Sequence, residues 1–375
     1  MIKNVLLPSG NLSLTIHQSD IPIDELCCFA TRANNKRGFL FVSKVLGKHY
    51  PVKPSIMNKV YENLSHKLTS LTSLSNNICF IGFAETAIGL GGGTFHSWRE
   101  KNPSKNALFM PTSRFKIDNE ILFEFKEEHS HATDHLIYQP KSKENQDIFK
   151  SCDTLVLIDD EISTGKTLFN FIEQYKKVNS SVKNVFLVSI TNWINDDNKS
   201  KILNEFPELR IEFVSILEGN FVFEKNENFF VPNVPKLDGK NELKDYLFNS
   251  DAHLFRLGIN QFNYSFDETI KSLDLSKKTL VLGSNEFLIK PYFLAKEMEN
   301  KGCNVYFQST TRSPIIVDVD IHYKNTSFDN YNDNIENYVY NVNPNDYEQI
   351  IICLETKSPF GLDIVNQLNA KIIYM

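Results

Sequence analysis

The sequence predicts an α/β protein: a doubly wound, mostly parallel sheet followed by a second, smaller α/β unit of Rossmann-like character. Three observations predict it. First, apolar runs bounded by turn residues recur at NICFIGF (77–83), DTLVLI (153–158), NVFLVSI (184–190) and RIEFVSI (210–216), the pattern of strands buried on both faces. Second, helical periodicity lies between them; in 166–178, Leu168, Ile172 and Tyr175 fall on one face at spacings of four and three. Third, the alternation resumes after a polar, proline-punctuated stretch at 226–244, with KKTLVLGSNEF (277–287), a helix over 291–301, CNVYFQS (303–309), YEQIIICLE (347–355) and KIIYM (371–375). Strands that alternate with helices build parallel sheets, because a parallel neighbour needs a crossover connection. The expected organisation is a first domain over 1–225, a connecting segment over 226–265 and a second domain over 266–375.

Bulk properties narrow the class. A chain of 375 residues is long for one compact core. Hydrophobic content of 41% and charged content of 23% exclude a disordered or fibrous protein. A formal net charge of -6 provides no global attraction to nucleic acid, and none is expected as a partner. Cys27, Cys28, Cys79, Cys152, Cys303 and Cys353 lack CxxC spacing, and several sit in apolar runs, which suits small buried hydrophobes better than a zinc or disulfide framework. No stretch approaches the roughly 18 to 20 apolar residues needed to cross a bilayer. A soluble cytoplasmic protein without a membrane partner is the expectation.

The most informative segment is LVLIDDEISTGKT at 155–167, where a buried strand runs into acids, then a hydroxyl- and glycine-rich turn, then a helix. Adjacent acids at a strand's carboxyl end accept hydrogen bonds from a vicinal diol, which places Asp159 and Asp160, followed by Glu161, at ribose hydroxyls. Ser163, Thr164, Gly165, Lys166 and Thr167 present amides and hydroxyls at a helix N-terminus, where the dipole favours a phosphate. A Walker loop is disfavoured, since Asp160 stands where its first glycine belongs. The plainer alternative is that the acids and hydroxyls only cap a turn and a helix. The segment resembles the 5-phosphoribosyl-1-pyrophosphate (PRPP) signature of type I phosphoribosyltransferases, with Lys166 where that family commonly has a second glycine or alanine. The resemblance implies that family's doubly wound sheet with a hood over the site.

Other segments take on meaning from it. GFAETAIGLGGG (82–93) follows a strand and resembles the pyrophosphate loop, with Glu85, Thr86 and Ala87 at its tip; a plain glycine-rich turn is the alternative. FEFKEEHSHATDHLIY (123–138) carries His129, His131 and His135 where type I enzymes have a mobile hood; His129 and His131 are candidates to contact pyrophosphate or act as general acid or base. A metal site is a weak rival there, and a solvated loop a plain one. TRANNKRGFLFVSKVLGKHYPVKP (31–54) gathers Arg32, Lys36, Arg37, Lys44, Lys48 and His49 around an apolar strand with Ser43, and resembles the hood over the base in orotate phosphoribosyltransferases; a solvated basic face is its alternative.

In the second unit, STTRSPI (309–315) sets Arg312 among hydroxyls, a group suited to a phosphate or carboxylate. From about Arg32 to its end the chain resembles bacterial phosphoribosyltransferase-domain proteins of tellurium-resistance-type gene clusters, whose appended domain is named for the tetrapeptide present here as Thr311, Arg312, Ser313 and Pro314. RGFLFVSKVLGKHYPV, EEHSHATDH, VLIDDEISTGKT, LGSNEF, YNVNPNDYE and IICLET carry the likeness with it. It implies a pocket at strand ends lined by Gly283, Glu286, Arg312, Ser313 and Glu355, against the alternative that Arg312 only holds the turn before Pro314.

These readings converge on a Mg-dependent transferase that displaces pyrophosphate from PRPP with a nucleobase-like acceptor. Glu85, His129, His131 and Asp160 are its catalytic candidates, and Arg37, Ser43, Lys44, Lys48 and His49 its acceptor-side candidates. Mg is expected to arrive with the diphosphate, Asp159 and Asp160 being its candidate protein contacts. By resemblance the enzyme is a homodimer. Two rivals stand beside it: a non-catalytic sensor that keeps the PRPP pocket, and a second, ribosyl-phosphate-processing activity in the C-terminal domain built on Arg312.

Overall fold

The computed structural model describes all residues except 35–36, 127–134, 231–242, 249–250, 319, 329–330, 332–334 and 358–362. The first half runs β1 (Ile2–Leu7), β2 (Gly10–Ser19), α1 (Ile23–Leu26), β3 (Cys27–Thr31), β4 (Phe39–Ser43), α2 (Pro54–Leu71), β5 (Asn77–Gly82), α3 (Ala87–Lys101), β6 (Asn106–Pro111), β7 (Ile121–Phe125), β8 (His135–Tyr138), α4 (Lys143–Ser151), β9 (Thr154–Ile158), β10 (Glu161–Ile162), α5 (Lys166–Val178), β11 (Asn184–Asn192), α6 (Asp196–Glu205) and β12 (Arg210–Lys225). The main sheet has the order β1-β2-β12-β11-β9-β5-β6, with β10 pairing β11. From β12 to β6 the pairing is parallel, as expected for the apolar runs at 77–83, 153–158, 184–190 and 210–216.

The edge departs from that reading. β12 continues to Lys225, well past the apolar run, and its second half pairs antiparallel with β2 of an N-terminal hairpin. Leu12, Leu14 and Ile16 of β2 are buried while Thr15 and His17 are exposed, the alternation of a sheet with one wet face. Reading for continuous apolar runs detects strands buried on both faces and passes over this pattern.

The second half contains α7 (Asp267–Lys271), β13 (Thr279–Gly283), α8 (Ile289–Asn300), β14 (Val305–Ser309), β15 (Lys324–Phe328), β16 (Glu336–Tyr340), β17 (Gln349–Leu354), α9 (Asp363–Gln367) and β18 (Lys371–Tyr374). Four of these strands form a parallel sheet ordered β14-β13-β17-β18, and β15 pairs antiparallel with β16. One hydrophobic cluster joins the halves, with Phe83 and Ile88 in the same core as Phe287, Ile289, Tyr292 and Phe307. Backbone bonds join them too: Val52 and Phe307 exchange N–H···O contacts of 2.9 and 2.8 Å.

Each of the two larger sheets has a point where the winding reverses, the usual ligand crevice of open α/β sheets. In the first it lies between β5 and β9, whose carboxyl ends touch through Phe83 N–H and Ile158 O at 3.1 Å. In the second it lies between β13 and β17.

Gly91 and Gly93 serve helix packing. A Cβ on Gly91 would stand 2.9 Å from the Gly82 Cα, and one on Gly93 2.3 Å from the Tyr61 ring, so these two positions let α3 lie directly on β5 and α2. Alanine is the better helix former by about 1 kcal/mol. Tyr61 is nonetheless fully buried and makes an edge contact with Tyr292, leaving the ring no room to retreat. Gly93→Ala is therefore expected to lose stability on balance, against an overpacking cost of about 1–3 kcal/mol. Urea denaturation checks this; a midpoint at or above wild type would show that the ring yields.

Candidate active site

At the first reversal point β9 delivers Asp159 and Asp160, both partly exposed. Their backbone is pinned: Asp159 N–H donates to Val188 O at 2.9 Å, and Asp160 O accepts from the N–H groups of Ile190 and Thr191 at 3.2 and 3.3 Å. Asp159 Oδ1 also accepts from Asp160 N–H at 2.9 Å. Desolvation, followed by the neighbouring Glu161 carboxylate, raises the Asp160 pKa to about 6. The chain then passes Ser163 and Thr164 into Gly165, whose φ of 71° is left-handed, and α5 starts at Lys166. With no acidic residue in its first turn, α5 aims a positive helix end beside the acid pair. Thr164 and Lys166 are exposed, and Ser163 and Thr167 partly so.

The end of β5 faces this loop. Ala84 N–H donates to Thr112 Oγ1 at 2.8 Å, and Ala84 O accepts from Arg114 Nη2 at 3.2 Å. The Ala84–Glu85 peptide bond is cis. The helix begins earlier than the sequence suggests: Ala87 is fully buried in its first turn, its N–H bonded to Phe83 O at 3.0 Å. The turn is therefore confined to 83–86, with Glu85 and Thr86 partly exposed, and the expected tip residue Ala87 belongs to the core.

Lys48 and His49, read as parts of a basic hood, are buried. Lys48 Nζ lies 2.5 Å from Glu85 Oε1 and donates to Asn285 O at 3.4 Å. Burial lowers the Lys48 pKa and the Glu85 charge opposes that shift. Burial, then the charges of Lys48 and Arg32, push His49 down to about 3. Arg37 reaches across to Glu161 at 2.6 Å, with its guanidinium over the Phe39 and Phe41 rings at 4.6 and 5.5 Å, and so latches β4 to the acid loop. Ser43 accepts from Val45 N–H at 3.3 Å and Lys44 donates to Asp24 O at 2.8 Å, contacts that hold the local turn and α1. Lys36, His129 and His131 lie outside the described residues. His135 is buried, its Nδ1 2.8 Å from Thr112 Oγ1 and its Nε2 3.2 Å from Arg114 Nη2, and supports the turn that carries Ala84.

In the second sheet, Glu286 and Glu355 are enclosed. Arg256 donates to Glu355 through Nη1 and Nη2 at 2.9 and 2.8 Å, and to Glu286 through Nε at 3.0 Å. Ser113 Oγ and Arg114 N–H also donate to Glu286, at 2.8 and 2.5 Å, and Tyr331 donates its hydroxyl to Glu355. The reversal point between β13 and β17 is thus filled by the protein's own side chains. Gly283 is required by close approach, since a Cβ there would meet Phe287 O at 2.7 Å. Arg312 lies over the Phe115 ring at 4.7 Å, and Ser313 beside it is partly exposed.

Sequence reading missed Thr112, Ser113, Arg114 and Arg256. A signal for the first three was present: TSR directly follows the apolar run NALFMP, as STTR follows VYFQ. Arg256 has no such mark. Among the described residues no group of three or more His, Cys, Asp or Glu side chains is arranged to hold a metal ion, and all six cysteines are buried and free. No helix among them is long and apolar enough to cross a membrane.

Acids and a helix N-terminus across a reversal point from a short turn define a doubly wound α/β protein with its candidate site at that crevice. A sequence profile described as phosphoribosyl transferase matches residues 26–220, more than half the chain, and one described as the TRSP domain C-terminal to that transferase matches 257–365. The chain belongs to this phosphoribosyl transferase family. Similar solved structures include adenine phosphoribosyltransferase from Trypanosoma brucei in complex with AMP, pyrophosphate and ribose-5-phosphate, at 13% identity and a TM-score of 0.38 over 57% of this chain and 86% of that one. The Giardia lamblia enzyme complexed with 9-deazaadenine is similar at 16% identity and 0.29, over 43% and 80%. A Bacillus anthracis hypoxanthine-guanine phosphoribosyltransferase is similar at 9% and 0.26, over 44% and 82%. No curated protein matches the chain.

Two measurements check the charge assignments. Arg256→Met leaves two buried carboxylates without their cation and is expected to cost about 3–5 kcal/mol in denaturant unfolding; a loss below about 1 kcal/mol would mean the cluster relaxes to solvent. His49 resists protonation in the folded chain down to about pH 3, whereas an unfolded histidine takes a proton near 6.5. Its contribution is fully present above pH 6.5 and declines as pH falls toward 3, by up to about 1.4 kcal/mol per pH unit. The stability of His49→Gln should accordingly fall less steeply than wild type between those limits, and parallel slopes would refute the assignment.

Proposed function

We propose that this phosphoribosyl transferase uses PRPP and Mg to ribosylate a nitrogen of a nucleobase-like acceptor, releasing pyrophosphate. The observation that carries the reading is the meeting of two dissimilar strand ends at one reversal point: Asp159 and Asp160 with the α5 N-terminus on one side, and the Glu85–Thr86 turn on the other. The carboxylates accept from the ribose hydroxyls, while the first-turn amides of α5 hold the 5-phosphate. Across from them the 83–86 turn faces the diphosphate. Lys48 balances the Glu85 carboxylate, so this turn meets an anionic leaving group without net repulsion.

In the transfer, the acceptor nitrogen bonds to the ribosyl anomeric carbon as the bond from that carbon to the pyrophosphate oxygen breaks. The bonding pair leaves with pyrophosphate, and the acceptor's N–H proton passes to a base, for which His129 and His131 are the candidates. The Arg37–Glu161 latch holds β4 over the site and keeps water from competing with the acceptor. Two adjacent carboxylates on a strand end suit a hard cation that keeps phosphate and water oxygens in its shell, and when bound Mg neutralises the leaving group. A homodimer is part of the same proposal.

Calorimetric titration of PRPP with Mg tests it. Asp160→Asn is expected to weaken binding by roughly tenfold to a hundredfold, the loss of a charge-assisted hydrogen bond of about 1.5–3 kcal/mol. Pyrophosphate release over a panel of bases then names the acceptor. Equal affinity in wild type and variant would reject the site, and tight binding with no release for any base would favour a sensor.

A further inference from the structure

The turns that close β13 and β14 contain buried polar atoms the proposed reaction does not use. Ser284, Asn285 and Ser309 are at most 3% exposed, yet Ser284 Oγ, Asn285 Oδ1 and Ser309 Oγ make no hydrogen bond to any described residue, and neither does Ser313 Oγ four residues further on. Native chains pair the large majority of such atoms, because one left unsatisfied loses its solvation without replacement. Three at adjoining strand ends, with a fourth in the loop that follows, point to a ligand that completes them.

Their placement supports this. Gly283 and Ser309 are register partners at the carboxyl ends of neighbouring parallel strands, Thr310 N–H donates to Gly283 O at 3.1 Å, and Asn285 N–H donates to Thr310 Oγ1 at 2.9 Å. Asn285 holds a left-handed φ of 49° in a buried turn, a conformation that costs energy and gathers at functional sites. Arg312 follows in the same loop, its guanidinium carbon 4.7 Å from the centre of the Phe115 ring, whose own ring stacks on Tyr331 at 3.9 Å. A guanidinium is the side chain best suited to an oxyanion. This cluster also borders the active centre, since the Lys48 ammonium contacts both Asn285 O and Glu85.

We infer that Ser284, Asn285, Ser309, Arg312 and Ser313 form an oxyanion subsite of the same active centre, which receives a carboxylate or phosphate group carried by the acceptor. The inference rests on the transferase reading, because the acceptor is the one reactant whose charged groups that reading leaves without a partner. The second domain thereby decides which acceptor is used, and the acceptor is an anion.

The test uses the full chain and calorimetry, with orotate as a planar carboxylate probe, uracil as its counterpart without the carboxylate, and inorganic phosphate and pyrophosphate as simple anions. Wild type is expected to bind orotate at least tenfold more tightly than uracil, or to show a phosphate site that disappears in Arg312→Met; the first result names a carboxylate, the second a phosphate. Arg312→Lys should behave like Arg312→Met, and PRPP affinity should stay within about twofold in both. Ser309→Ala keeps the test decisive if the arginine variants fail to fold. Removing an unpartnered hydroxyl should leave the melting temperature unchanged or higher, yet weaken the same probe threefold or more. Equal affinity for the orotate and phosphate probes in wild type and in these variants overturns the subsite, and an Arg312 effect confined to pyrophosphate assigns it to the leaving group and overturns the acceptor. Asp160→Asn separates the two proposals: it should weaken PRPP binding as stated above and keep the Arg312-dependent anion. Anion binding of that kind in a wild type that does not bind PRPP would sink the transferase reading and with it the acceptor role, leaving only the oxyanion site, whereas PRPP binding with no Arg312-dependent anion would sink this inference alone.

Discussion

One guanidinium, that of Arg256, sits out of contact with solvent between two carboxylates, and the geometry of both sheets depends on it. Moving a charge out of water costs several kcal/mol unless its partners are complete. Glu355 at the end of β17 and Glu286 after β13 therefore cannot move independently of Arg256. Glu286 in turn holds Ser113 and the Arg114 backbone, and the Arg114 side chain holds Ala84 O. The turn that carries Glu85 is thus positioned from the second sheet through a chain of polar contacts in a low-dielectric interior, where each is strong when made and costly when broken.

The two reversal points show how one topology serves two ends. Between β5 and β9 the crevice carries acids, hydroxyls and a helix N-terminus that remain partly exposed. Between β13 and β17 the same kind of crevice is closed by Arg256 and its two glutamates. The buried polar atoms without a partner among the described residues sit one strand over, at the ends of β13 and β14, near Lys48. Lys48 of the first half reaches these strand ends, and the two halves share one hydrophobic core.

The N-terminal segments complete the junction. β4 is tied to the acid loop by Arg37 and Glu161, and residues 47–52 are tied to β14 by backbone bonds, including Ser309 N–H to Gly47 O at 2.8 Å. Lys48 gives up the solvation of its ammonium to stand between Glu85 and Asn285. A lysine in that position holds the strand ends of both sheets to one charge.

What the sequence by itself determined is everything whose signal is local. Strands buried on both faces announce themselves as apolar runs, and α5 shows its face in Leu168, Ile172 and Tyr175. The succession of acids, hydroxyls and Gly165 marks a strand end followed by a helix start because each residue acts on its own neighbours. The hairpin was legible too, as the alternation of Leu12, Leu14 and Ile16, although its half-wet pattern is easily passed over. Tertiary structure alone decided the rest. That Lys48 and His49 are buried, that Ala87 belongs to the core, that Gly93 faces Tyr61 and that Arg256 meets Glu286 and Glu355 are outcomes of contacts between residues distant in the chain. Burial and charge pairing depend on which surfaces meet, and a one-dimensional pattern of residue types carries no record of that.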